Sequence, residues 1–111
     1  MERSGIYCII NNNNGKMYVG QSVHLSERIK QHFSELKRGK HPNKYLQRDF
    51  NKDAKFFTWK ILELVDVRNL NEREKYWIEF YHTRNHKYGY NIQKVYDRAY
   101  TKDIEKYEDI N

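Results

Sequence analysis

Two tyrosines, an arginine and a histidine are spaced so that one small fold could bring them together. Tyr7 ends the tripeptide Gly5-Ile6-Tyr7 and Tyr18 opens Tyr18-Val19-Gly20, with the polar stretch Asn11 to Gly15 between them. Both tripeptides have strand character and the asparagines are turn chemistry, so the two segments read as a β-hairpin. A loop of Asn11 to Asn14 would pair Tyr7 with Tyr18 and project both phenols from one face. Gly5 and Gly20 sit beside them, where a missing side chain lets another backbone or a ligand come close. Arg28 and His32 follow in a helical pattern at i and i+4, hence one above the other on a face turned toward the hairpin. Phenols, guanidinium and imidazole make a set that could belong to an active site. Each pair also has a plain structural reading: core tyrosines in one case, a solvated Arg and His in the other.

A basic stripe indicates what such a site would act on. Lys37, Arg38, Lys40, Lys44, Arg48, Lys52, Lys55 and Lys60 are interrupted only by Asp49 and Asp53, a distribution that suits a phosphate backbone. The formal net charge is +6. The excess of Lys and Arg lies in residues 1–95, whereas 96–111 is net acidic.

The elements that must position these residues follow from periodicity. The hairpin strands run over Ile6–Ile10 and Met17–Gly20. A helix is expected from an N-cap at Ser22 to about Arg38, stopped by Gly39, with Leu25, Ile29, Phe33 and Leu36 as its apolar stripe. Asn43, after the loop containing Pro42, caps a short helix through about Asn51. Phe56 to Val65 is β-branched, aromatic and nearly continuously apolar, the pattern of a central strand. A further helix covers Asn71 to about His82, with Tyr76, Trp77, Phe80 and Tyr81 on an aromatic face; Asn71 and Glu74 have capping-box spacing at its start. Gly89-Tyr90-Asn91-Ile92 turns the chain back toward a short strand. Tyr100, Ile104 and Tyr107 have helical spacing in the acidic tail, read as a short docked helix.

Composition narrows the class. Apolar residues are 38% and charged residues 32% of the 111 residues, lean for a core, but ten tyrosines supply large buried surfaces. The chain reads as one α/β domain over residues 1–95, a small three-stranded, mainly antiparallel sheet flanked by helices, followed by the tail 96–111. No apolar run approaches a membrane span and no leader opens the chain, so a cytoplasmic protein without a membrane partner is expected. Cys8 is the lone cysteine, which excludes a disulfide framework and a thiolate metal cage. His82 and His86 have no acidic or cysteine partners at zinc spacing and read as surface residues.

Taken in order, Gly5-Ile6-Tyr7, Tyr18-Val19-Gly20, Arg28, Glu74 and Asn91 resemble the catalytic domain of the GIY-YIG endonuclease superfamily, over roughly Ser4 to Ile92. Val19 replaces the family isoleucine, and His32 stands a turn beyond Arg28. The stretches Lys40 to Asn51 and Glu72 to Trp77, with the loop histidine His41, look most like the phage intron-encoded homing endonucleases. The resemblance implies DNA hydrolysis to 5′-phosphate and 3′-hydroxyl ends with one divalent cation, Mg²⁺ or Mn²⁺, held by Glu74. It also implies Tyr7 as the group that orients and deprotonates water, helped by Tyr18. Arg28, a permanent fork of donors, would meet transition-state charge, and His32 would accept the proton that Tyr7 takes up. Gly5, Gly20 and Asn91 support the site, and Lys37, Arg38, Lys40, His41, Lys44 and Arg48 contact DNA. Homing enzymes of this kind carry a separate DNA-recognition domain, so the chain is expected to be a free-standing nuclease or a catalytic module from a longer protein. One site cuts one strand, and a double-strand break needs a second subunit, a transient dimer or a second encounter. The competing class is a non-catalytic nucleic-acid-binding accessory protein of the same fold; the presence of both Arg28 and Glu74 favours the enzyme.

Overall fold

The segment Gly5–Asn11 is apolar on both faces, and a strand of that kind is stable only where both faces are covered. The computed structural model describes residues 3–92 and makes this segment, β1, the middle strand of a three-stranded sheet ordered β2-β1-β3. Strands β2 (Met17–Ser22) and β3 (Phe57–Leu64) both pair with it antiparallel. Helices α1 (Leu25–Lys37) and α2 (Lys44–Asp53) cover one face of the sheet, and α3 (Leu70–Tyr81) covers the other. Alternation along β1 divides the core accordingly. Tyr7 and Ile9 join Tyr18, Leu25, Ile29, Leu36, Leu46 and Phe50 on the α1/α2 side, while Ile6 and Cys8 join Val19, Leu70 and Ile78 on the α3 side.

The expected central strand, Phe56 to Val65, is an edge strand. Its apolar run is broken by Thr58, Lys60 and Glu63, and it leaves Thr58, Trp59, Lys60 and Leu64 exposed. A polar interruption is tolerated on a strand with one open face and not on one buried on both. The hairpin register also differs from expectation. Tyr18 lies opposite Ile9, and Tyr7 lies opposite Gly20. The strand extends through Asn11, whose amide side chain is buried and bonded to Asp53 and the Tyr90 hydroxyl at 3.1 Å each, so the loop starts one residue later. A shift of two in pairing preserves the face, and both phenols still project to the same side.

Local chemistry sets the helix ends. Strand β2 runs through Ser22, so α1 begins later than its expected cap; the Ser22 hydroxyl instead accepts from the His24 N–H at 2.9 Å. At the other end Gly39 adopts φ +71, and the N–H groups of Gly39 and Lys40 bond the carbonyls of Leu36 and Glu35, the paired closure of a glycine-terminated helix. Asn43 caps α2, accepting from the N–H groups of Tyr45 and Leu46 at 3.1 Å. No capping box forms on α3: the helix begins at Leu70, one residue before Asn71, and the Asn71 amide oxygen bonds Gln21 instead. Helix α3 buries Leu70, Glu74 and Ile78; of its aromatic residues Trp77 and Tyr81 are half-buried, while Tyr76 and Phe80 are exposed. The segment Gly89-Tyr90-Asn91 lies along β2 through a single parallel bridge between Gly89 and Met17 and not as a further strand. The tail helix expected around Tyr100, Ile104 and Tyr107 lies outside the described residues.

Gly5 is needed by the sheet itself. A β-carbon there would collide with the backbone carbonyl of Glu63 and lie 3.1 Å from the Leu64 Cα. A β-bulge, with Ile6 opposite Glu63 and Tyr7 opposite Ile61, sits at the next step of the same ladder. Backbone is the obstacle, so no rotamer change relieves it. Gly5→Ala is therefore expected to lower unfolding stability by about 1–3 kcal/mol, read as a reduced midpoint in urea denaturation followed by far-UV circular dichroism.

Candidate active site

Alternation along β1 and β2 points Tyr7, Tyr18 and Gly20 toward α1, and helical spacing turns Arg28 and His32 back toward the sheet. The Tyr7 ring lies across β2 directly over Gly20. A β-carbon at Gly20 would occupy the position of the Tyr7 phenol, so the absence of a side chain there makes the room that the phenol fills. There the Tyr7 hydroxyl is 2.5 Å from His32 Nε2 and is hydrogen-bonded by Arg28. Tyr18 presents its ring to the edge of His32, with centroids 5.4 Å apart. Arg28 also donates to the Gln31 amide oxygen at 3.0 Å, which steadies the guanidinium along α1.

Glu74 approaches from the opposite layer. It sits in the buried stripe of α3, 5% exposed, and its Oε1 accepts from Gln21 Nε2 at 3.0 Å. Gln21 points to the α3 face because it follows Gly20 in the alternation of β2, and its amide is also bonded to Asn71 at 2.6 Å. Glu74 is near enough to Tyr7 to act on the phenol electrostatically. The phenol from one face and the carboxylate from the other therefore converge at the β2 edge. Asn91 holds that edge in place. Its side chain accepts from the Val19 N–H and donates to the Val19 carbonyl, both at 2.9 Å, acting as a one-residue strand beside β2.

His41 departs furthest from its expected place. Expected as a substrate contact in the basic loop, it is 7% exposed and meets His32 edge to edge, with centroids 5.0 Å apart and planes at 20°. Its Nε2 is 2.7 Å from His32 Nδ1, and its Nδ1 accepts from the Asn43 N–H at 3.0 Å. Burial under a loop cannot be read from a single histidine beside lysines. Lys37, Arg38, Lys40, Lys44 and Arg48 are all exposed. Lys44 and Arg48 also lie over the Tyr45 ring, 5.9 and 5.6 Å from its centroid. Gly5 belongs to the β1–β3 contact and not to the cleft. Gln21 was not anticipated; the available signal was its place directly after Tyr18-Val19-Gly20, on the alternate face.

The electrostatics of the cluster follow from burial. The Tyr7 phenol is raised above its ordinary range by desolvation, pulled down by Arg28 and pushed up by Glu74. The His32 imidazole is lowered to about 2 by burial, with Arg28 and His41 adding to the effect. His41 is likewise lowered, first by burial. Both shifts favour the neutral imidazole.

Comparison with known proteins places this arrangement among relatives. Residues 3–91 match the family model described as the GIY-YIG catalytic domain. The chain is 40% identical over 92 residues to intron-associated endonuclease 1 of Enterobacteria phage T4, covering 81% of this chain and 37% of that protein. It therefore spans a little over a third of the length of that relative. Among solved structures, the catalytic domain of the homing endonuclease I-TevI superposes with a TM-score of 0.76 at 38% identity, over 83% of this chain and all of that one. A glutamate-to-alanine variant of the I-TevI domain superposes with a TM-score of 0.74 at 38% identity, over 84% of this chain and 96% of that one.

The depressed histidine has a consequence for stability. Unfolded, His32 binds a proton as the pH falls through about 6.5; folded, it does so only near 2. Between these values the unfolded state holds the extra proton, so stability falls as the pH falls. From about pH 7.5 to about pH 5.5 the loss from His32 should be about 1.4 kcal/mol. Urea titrations at the two pH values measure it, and His32→Gln should show a correspondingly smaller difference.

Proposed function

The chain belongs to the GIY-YIG catalytic domain family, and from that premise we propose that it is a metal-dependent DNA endonuclease of the homing type, hydrolysing phosphodiester bonds to 5′-phosphate and 3′-hydroxyl ends. The observation that carries the reading is the convergence at the β2 edge. The Tyr7 hydroxyl, bonded to His32 at 2.5 Å and to Arg28, meets the field of a buried Glu74 arriving from the other face of the sheet.

The donor set suits a hard divalent cation held lightly. Among the described residues no three His, Cys, Asp or Glu side chains cluster as metal ligands. Glu74 supplies one carboxylate, steadied by Gln21 through Oε1, and Mg²⁺ commonly takes one or two protein carboxylates and completes its octahedron with water and substrate oxygens. A cation held there would neutralise phosphate charge and acidify a bound water. It would also offset the negative charge of Glu74, which otherwise raises the Tyr7 phenol.

The remaining chemistry falls to this chain's own side chains. Tyr7 Oη, in its ionised form, orients the attacking water and takes up its proton to return to the neutral phenol; the Arg28 guanidinium, which pulls the phenol down, favours that ionised form. Arg28, positively charged throughout the working pH range, also meets the oxygens of the phosphate as negative charge accumulates. Tyr18 walls the His32 ring and Asn91 fixes β2, so the phenol and the carboxylate keep their separation. The exposed Lys37, Arg38, Lys40, Lys44 and Arg48 receive the DNA backbone.

Supercoiled plasmid provides the test. With Mg²⁺ the protein should convert it to open-circle or linear DNA, with chelator it should not, and Glu74→Ala should abolish conversion while retaining a salt-sensitive mobility shift. Cleavage that survives Glu74→Ala would remove the assigned metal site. A shift without cleavage by the intact protein would favour a binding module.

A further inference from the structure

We propose that His41 is a positioning residue that fixes the tautomer of His32, so that His32 donates its Nε2–H to the Tyr7 hydroxyl oxygen. The inference rests on the nuclease reading only for its consequence, since the hydrogen-bond chain itself is a property of the fold.

The chain is read from its closed end. The Asn43 backbone N–H can only donate, and it is directed at His41 Nδ1 at 3.0 Å. His41 Nδ1 must therefore be the bare, accepting nitrogen, and a neutral His41 carries its proton on Nε2. That nitrogen lies 2.7 Å from His32 Nδ1. The His41 Nε2–H donates, His32 Nδ1 accepts, and a neutral His32 in turn carries its proton on Nε2. That proton points at Tyr7 Oη, 2.5 Å away. The opposite order would set a proton on His41 Nδ1 against the buried Asn43 N–H, donor to donor. Burial supports the neutral state of both rings: His32 is 0% and His41 7% exposed. Asn43 is held in turn, since its own amide caps α2 and bonds the Tyr90 carbonyl at 2.7 Å.

Two consequences follow for Tyr7. Its oxygen accepts from His32 and from Arg28, so the phenolic proton is directed away from both. Two donors on one oxygen also stabilise the phenolate against the burial that opposes it. The three rings act as a brace and not as a proton wire, because a backbone amide at the far end neither takes nor gives a proton. This reverses the role expected of His32, which on this reading supports Tyr7 and receives no proton from it.

Nuclear magnetic resonance of the ¹⁵N-labelled protein tests this without DNA or metal. Long-range ¹H–¹⁵N correlation should show both His32 and His41 protonated on Nε2 and bare on Nδ1, with a through-bond coupling between His41 Nε2 and His32 Nδ1. A proton on His32 Nδ1, or no coupling across that pair, overturns the proposal whatever the activity. His41→Phe keeps an aromatic ring in the place and removes the donor, so His32 should lose its single tautomer. His41→Gln can both donate to His32 and accept from Asn43, and should restore it. In the plasmid assay His41→Phe should lower the cleavage rate by roughly 10–100-fold with unchanged DNA affinity, and His41→Gln should recover most of it. If the rate is unchanged in His41→Phe while the His32 tautomer is lost, the positioning role fails. If the tautomers are as stated and the intact protein cuts no DNA, the nuclease reading fails and the brace stands.

Discussion

A phenol hydroxyl buried completely between a sheet and a helix is the constraint around which this molecule is built. Tyr7 is 0% exposed, and burial alone disfavours its ionised form. A phenol is useful as a base only where nearby donors oppose that penalty, and these must come from elements distant in the chain. Arg28 and His32 come from successive turns of α1, and His41 comes from the loop before α2. Gly20 contributes by having no side chain, because any β-carbon would fill the space the phenol occupies. The glycine and the tyrosine are therefore one feature, split between two strands.

The scaffold around this feature is held by polar side chains as much as by apolar ones. Asn11 in β1 bonds Asp53 of α2 and the hydroxyl of Tyr90, which donates to Asp49 at 2.7 Å. Asn43 caps α2 and grips the Tyr90 carbonyl, while Asn91 pairs with the Val19 backbone. Hairpin, second helix and closing segment are thus tied together by directional bonds, which set distances more tightly than apolar contact does. The same network couples the interior to the surface. Lys40 and Lys44 flank His41 and Asn43, so the loop that braces His32 also carries part of the basic face. A phosphate backbone lying on that loop would be referenced to the buried phenol through rigid hydrogen-bonded parts.

Sequence reading reached the local elements that carry Tyr7, Tyr18, Arg28 and His32, and tertiary structure decided their arrangement. Gly5-Ile6-Tyr7, Tyr18-Val19-Gly20, the Arg28/His32 spacing, the Gly39 stop and the Asn43 cap were legible because each depends on local geometry: strand alternation, helical period or the conformational freedom of one residue. The family resemblance was legible for the same reason, as order and spacing survive in one dimension. Three things were not. The hairpin register depended on Asn11 finding Asp53 and Tyr90, partners far along the chain. The strand order depended on which strand could be covered on both faces, which the apolar run of Phe56 to Val65 misrepresented because hydrophobicity along a strand does not say what lies against it. The burial of His41 depended on the loop folding over His32, a contact between two rings whose residue types alone suggest solvent and substrate. Local periodicity determined which residues could meet, and long-range packing and buried hydrogen bonds determined which of them do.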